Sequence, residues 1–163
     1  MSTFEIEGGH RLHGTITPQG AKNEALQVIS AVLLTAEQVR IDNIPDIRDV
    51  NHLIKLLQLL GVKVTEQPWE GVGRSYIFQA DAIDLEVLGT AQYCALASSL
   101  RGSIMLAGPL LARFGRAVIP QPGGDKIGRR RIDTHLTGLE KLGAVIDDFL
   151  RRTPATATGR GVS

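Results

Sequence analysis

Two stretches decide the fold: HLIKLLQLLGVKV (residues 52–64) and THLTGLEKLGAVI (residues 134–146). In the first, Ile54, Leu57 and Leu60 recur at helical spacing, Gly61 follows, and Val62 and Val64 then alternate as in a strand. Leu136, Leu139, Leu142, Gly143, Ala144 and Ile146 repeat the pattern, each 82 residues after its counterpart (Ile54 to Leu136, Val64 to Ile146). Just upstream, Val50-Asn51 corresponds to Ile132-Asp133. Each copy predicts an amphipathic helix, a glycine stop and a strand. A constant offset across the eleven positions 54–64 argues for a duplicated unit rather than two unrelated amphipathic helices.

Working outward, FEIEGG and RLHGTITPQG read as two short alternating strands, and AKNEALQVISAVLLT as a helix with Ala25, Leu26, Ile29, Val32 and Leu33 on one face. QVRIDNIP predicts a strand ended by Pro45; VKVTEQ and RSYIFQA predict a hairpin about the turn at 68–73. VLGTAQYCALASSLRG predicts a buried helix, SIMLAG a strand, PLLARFG a short helix and RAVIP a strand. After the loop at 120–130, RIDTHLTGLEKLG predicts a helix and AVIDDF a strand. The chain then divides into opening strands (1–21), about two repeated units (22–149) and a tail (150–163) without periodicity, expected to be irregular and to add nothing to a core.

The 163 residues are 43% apolar and 21% charged, with a formal net charge of +1. That composition is globular, and so small a net charge gives no bulk attraction to nucleic acid or an anionic membrane. One cysteine, Cys94, excludes an internal disulfide, and MSTFEIEGGHRLHG lacks the apolar run of a signal peptide. A cytoplasmic protein is expected. The histidines show no metal-ligand spacing, so no metal is assigned.

Cations gather at three places. Lys22 opens a helix, where backbone amides already favour an anion and a cation has the wrong sign for the dipole; it is either an anion ligand or an exposed first-turn residue. Arg101 ends an apolar helix, where an arginine also complements the helix dipole. IPQPGGDKIGRRRIDTH (residues 119–135) sets Asp125 after two glycines and before Arg129, Arg130 and Arg131. Guanidinium groups bind phosphate or carboxylate bidentately, and Asp125 is a candidate general acid beside such an anion; a solvated loop tip is the alternative. Cys94 has no cation nearby to activate it and reads as a small core residue.

GAKNEAL, LRGSIMLAGPLLARFG and PGGDKIGRRRIDTHLTGLEKLGA, in this order, resemble UDP-N-acetylglucosamine enolpyruvyl transferases over residues 3 to about 149. The resemblance implies an α/β (α+β) fold of repeated βαβαββ units with helices inside and sheets outside, incomplete in this chain, which is much shorter than the family's. Residues 1–21 would pair with the family's second domain. It further implies transfer of the enolpyruvyl group of phosphoenolpyruvate to the 3′-hydroxyl of UDP-N-acetylglucosamine with release of phosphate, the first committed step of peptidoglycan synthesis. No cofactor is implied, phosphoenolpyruvate being a co-substrate. The whole protein would be a monomer, and the fragment prone to self-association.

By position, Lys22 (binding and catalytic) matches the phosphoenolpyruvate-binding lysine, Asn23 its substrate-binding neighbour and Arg101 a substrate-binding arginine. Arg130 matches the loop arginine, and Arg131, Ile132, Asp133 and Thr134 match the segment lining the UDP-sugar. Asp125 stands where many members carry a cysteine. That thiol protonates phosphoenolpyruvate and is alkylated by fosfomycin, so the aspartate implies resistance. A free aspartate titrates near 3.9 and a cysteine near 8.5, so the anionic substrate must offset the arginines if Asp125 is to stay protonated. Two other readings stand beside this one: a non-catalytic fragment that binds a nucleotide sugar or anion, and a shikimate-pathway enolpyruvyl transferase. The latter is disfavoured because its serine-rich lysine motif is expected near the N-terminus, and GAKNEAL has no serine.

Overall fold

The computed structural model describes residues 3–120, 133–147 and 155–159. Helix α1 (Lys22–Ala31) runs into a 3₁₀ turn (Val32–Leu34) and is followed by β1 (Gln38–Ile44), α2 (Arg48–Leu59), β2 (Lys63–Gln67) and β3 (Arg74–Gln79). Next come α3 (Ala91–Ser98), a 3₁₀ segment (Arg101–Leu106), α4 (Ala107–Phe114) and β4 (Arg116–Ile119). Then follow α5 (Asp133–Lys141), β5 (Ala144–Asp147) and β6 (Ala155–Gly159).

The duplication appears directly in the strand order. β3 lies between β1 and β2, antiparallel to both, and β6 lies in the same way between β4 and β5. Val64 pairs with Phe78 in the first sheet; Ile146, 82 residues after Val64, pairs with Ala157 in the second. The 155–159 segment, expected to be irregular, is therefore the central strand of the second sheet. Its Thr and Ala residues carry no large apolar signature, and it is the ladder on both edges that makes it a strand.

α2 forms where the periodic pattern placed it. It buries Val50, Leu53, Ile54, Leu56 and Leu57, and Gly61 follows its end at φ +97°, a conformation costly for other residues. The helices pack on one another inside: α1 against α2, and α2 against α3, with Ile29, Leu33, Leu53, Leu57, Phe78, Tyr93 and Leu110 fully buried. The buried Tyr93 hydroxyl donates to the Val118 carbonyl at 2.8 Å and ties α3 to β4. No single helix among the described residues is long and apolar enough to cross a membrane.

Two further expectations differ. SIMLAG is not a strand: Ser103 to Leu106 continue the 3₁₀ segment and Ala107 begins α4. Ser103 and Leu106 are buried there, because the segment packs on α1, α2 and α4 instead of joining a sheet. The first described unit therefore reads αβαββ, while in the second α3 and α4 both precede β4 (ααβαββ), and neither has that leading strand. Residues 3–20 pair with no strand among the described residues, and Phe4, Ile6, Leu12 and Ile16 stand about nine-tenths exposed. An alternating pattern makes a strand only where a neighbour supplies the hydrogen bonds.

Candidate functional site

α1 begins with no side-chain cap, because Ala21 at its N-cap has no acceptor. Ala25 N–H makes the first helical bond, to the Ala21 carbonyl at 3.0 Å, so the amides before it point outward without helical partners. The turn into the helix is held from β1. The Gly20 N–H donates to Asn43 Oδ1 at 3.0 Å, and a Cβ on Gly20 would collide with the Asn43 carbonyl oxygen. That close approach is why glycine stands two residues before Lys22.

Lys22 projects from the first turn and pairs with Asp49 of α2, Nζ to Oδ2 3.0 Å, both side chains nearly half exposed. Such a pair contributes about 0–1 kcal/mol, little enough for an incoming anion to displace the carboxylate. Asn23 is exposed, and its amide makes no hydrogen bond among the described residues.

Arg101 does not close α3, as the sequence suggested. α3 stops at Ser98, and Arg101 opens the 3₁₀ segment, half-buried. The next residue brings it toward Lys22: a Cβ on Gly102 would lie 3.0 Å from Leu26 Cδ1, and Leu26 is one helical turn after Lys22. α1, which carries Lys22, and the 3₁₀ segment, which opens with Arg101, are thus packed neighbours. α2 serves both, with Asp49 on Lys22 and His52, one turn further along, set Nδ1 to Oγ 3.5 Å from Ser99, just ahead of Arg101.

Asn43, Asp49, His52 and Ser99 were not singled out in the sequence. Asp49 and His52, three apart on the polar face of an amphipathic helix, carried a usable signal, whereas Asn43 and Ser99 carried none beyond residue type.

Asp133 and Thr134 are exposed at the start of α5 and, with Thr137, Gly138 and Lys141, line an open groove of about 560 Å³. Asp125, Arg130, Arg131 and Ile132 lie outside the described residues. A smaller cavity of about 140 Å³ between α1 and β1, lined by Glu24, Val28 and Ile41, includes neither Lys22 nor Arg101. Burial pushes the Cys94 thiol above its ordinary value, which keeps it protonated and a poor nucleophile.

The arrangement suits an anion with two charged ends. Outward amides and one ammonium can hold a phosphate, while a guanidinium on the neighbouring backbone can hold a carboxylate.

UDP-N-acetylglucosamine 1-carboxyvinyltransferase of Bacteroides thetaiotaomicron is 58% identical over 144 residues, covering 88% of this chain and 32% of that protein. The protein of the same name from Porphyromonas gingivalis is 53% identical over 147 residues (90% and 33%). That of Yersinia enterocolitica is 39% identical over 163 residues (98% and 36%). The chain spans about a third of the length of the curated relatives it matches. The enolpyruvyl transferase NikO from Streptomyces tendae superposes with a TM-score of 0.72 at 21% identity, over 96% of this chain and 32% of that one, which shows a shared fold. The sequence profile of EPSP synthase (3-phosphoshikimate 1-carboxyvinyltransferase) matches residues 6–160, nearly the whole chain from before Lys22 to the end of β6, and the chain belongs to that family.

Proposed function

We propose that this protein takes part in transferring the enolpyruvyl group of phosphoenolpyruvate to the 3′-hydroxyl of UDP-N-acetylglucosamine. The observation that carries the reading is the packing of the 3₁₀ segment that opens with Arg101 against α1, whose first turn carries Lys22 and outward amides. The names of relatives at 53–58% identity support the UDP-sugar as acceptor rather than shikimate phosphate.

In this reading Lys22, with Asn23 beside it, holds the phosphate and Arg101 the carboxylate. Asp125 gives a proton to C3 of phosphoenolpyruvate. The sugar oxygen bonds to C2 and loses its own proton. The C2–O bond to phosphate then breaks, and a proton leaves C3 to restore the alkene. Fixed cations act best here because charge moves between the two ends of the substrate in the intermediate. Arg130 contacts the substrates, and Arg131, Ile132, Asp133 and Thr134 bind the UDP-sugar, the last two from the α5 groove. Such an enzyme acts at the start of peptidoglycan synthesis in the cytoplasm, and thereby in cell-wall biogenesis, cell shape and division.

A second reading has its own observation: the chain spans about a third of its relatives, so the 163 residues alone would bind without turning over. Proximity and orientation are worth roughly 7–11 kcal/mol in an assembled site, and a partial one forfeits much of that. Titration with UDP-N-acetylglucosamine, with and without phosphoenolpyruvate, and a phosphate-release assay test both readings. Binding of both ligands without phosphate release is the expected result for this chain. Steady release abolished by Asp125→Asn would overturn the second reading, and failure to bind either ligand would overturn the first.

A further inference from the structure

We propose that Asn43, which no substrate contact would single out, is the positioning residue for Lys22. The inference rests on the reading of Lys22 as an anion ligand, but its geometry stands apart from it. Asn43 is the one non-glycine residue with a positive φ, +56°, among those described. It sits where the β1–β3 ladder slips: Ile41 pairs with Tyr76 and Ile44 with Arg74, so β1 spends one more residue than β3 over that interval. This bulge turns Asn43 out of the ladder.

Turned out in this way, Asn43 is held between two glycines from separate loops. Its Oδ1 accepts the Gly20 N–H at 3.0 Å, and its carbonyl oxygen occupies the space a Gly20 side chain would need. On the other side Gly73, at φ +80°, lies so close that a Cβ would be 2.7 Å from the Ile44 carbonyl oxygen and 3.1 Å from the Asn43 carbonyl carbon. The start of α1 is thereby fixed to the end of β1 and to the β2–β3 turn. Lys22 follows two residues later, and among the described residues its side chain is tied only by the exposed pair with Asp49. Where the ammonium points is accordingly set by the main chain, and the main chain is set by Asn43.

A bland role is separable. If Asn43 merely tolerates a left-handed backbone, glycine would serve as well or better, since it adopts that conformation without cost. Asn43→Gly keeps the conformation and removes Oδ1; Asn43→Asp keeps an acceptor and is the rescue variant. Three readouts on the full chain are compared: exchange of the Gly20 amide, the shift of the Lys22 Nζ resonance produced by Asp49→Asn, and affinity for phosphoenolpyruvate. In Asn43→Gly we expect Gly20 exchange to rise at least tenfold, the Asp49-dependent shift at Lys22 to fall by half or more, and phosphoenolpyruvate to bind 3- to 10-fold more weakly. UDP-N-acetylglucosamine affinity and Tm should hold. Asn43→Asp should stay within twofold on every measure. An Asn43→Gly chain with an unchanged Asp49-dependent shift overturns the proposal, as does faster exchange with unchanged phosphoenolpyruvate affinity. A wild-type chain that does not bind phosphoenolpyruvate defeats the functional reading instead, and the Lys22 shift still decides the role of Asn43.

Discussion

Arg113 sits in the last turn of α4, and its Nη1 lies 2.9 Å from the carbonyl oxygens of Leu33 and Thr35 and 2.8 Å from that of Ala80. These carbonyls come from the end of the α1 extension, the turn into β1 and the residue after β3, so one side chain ties the second unit to three parts of the first. One nitrogen carries two hydrogens, so at most two of the three contacts are well directed at a time. Charge-assisted bonds contribute roughly 1.5–3 kcal/mol each, or about 3–6 for two. The side chain is half-buried, and water would recover part of that for the freed carbonyls. We therefore expect Arg113→Met, which keeps an apolar stem, to cost about 2–3 kcal/mol, lowering Tm by about 4–12 °C at this chain length. Arg113→Lys should lose roughly half as much: it retains a charge and the contact over the Phe114 ring, but not the guanidinium geometry. Urea unfolding followed by circular dichroism and by Trp69 fluorescence measures the difference. It should persist at high salt, because the partners are buried carbonyl dipoles rather than exposed charges. A loss below about 1 kcal/mol for Arg113→Met would refute the reasoning.

Lys22→Met should weaken phosphoenolpyruvate binding at least tenfold while moving Tm little, since its pair with Asp49 contributes at most about 1 kcal/mol; unchanged affinity by calorimetry would remove Lys22 from the site. With Asp125 in place of a thiol, the full-length enzyme should resist fosfomycin and Asp125→Cys should become sensitive; time-dependent inactivation of the aspartate form is the contrary result. Asp42, Asp46 and Asp81 are held below the ordinary value of 3.8, chiefly by hydrogen bonds from Ser75, Asn51 and Lys63 respectively. Because the folded-state values are the lower ones, their stabilisation is present above about pH 4 and is lost as pH falls below it. Asp46→Asn should flatten that acid limb in a pH-resolved melt, and an unchanged limb would count against it.

What could be read from sequence was what local chemistry decides. The Ile54–Leu57–Leu60 period and Gly61 specify α2 and its end, and the turn between β2 and β3 specifies their hairpin. Elements that depend on a distant neighbour were misread. SIMLAG has the apolar density of a strand, yet it packs among helices; ATATG has none, yet two strands flank it. The same division holds for the site. Lys22 and Arg101 stand in recognisable motifs, whereas Asn43 matters only because a bulge, a turn and a hairpin loop meet on it. No reading of three residues around Asn43 contains that meeting.

The two units also show why a shared pattern need not give a shared environment. Leu57 and Leu60 are fully buried and Ile54 is 7% exposed, whereas Leu142, the counterpart of Leu60, is 78% exposed. The apolar spacing is the same; the packing is not. α2 lies against α1, α3 and the 3₁₀ segment, while the principal contact of α5 is β5. Periodicity therefore records what a helix can bury, and its neighbours decide whether it does. On the proposed reading this bears on function, because the elements that carry Lys22 and Arg101 both pack against α2. The Leu26 side chain, part of the core, packs against Gly102 between the two elements, so displacing one element relative to the other would disturb that core. Positioning within about half an ångström is what anion recognition and proton transfer require, and packed helices supply it better than loops. Lys22 stays exposed and Arg101 half-buried, while the segments that carry them pack on the core.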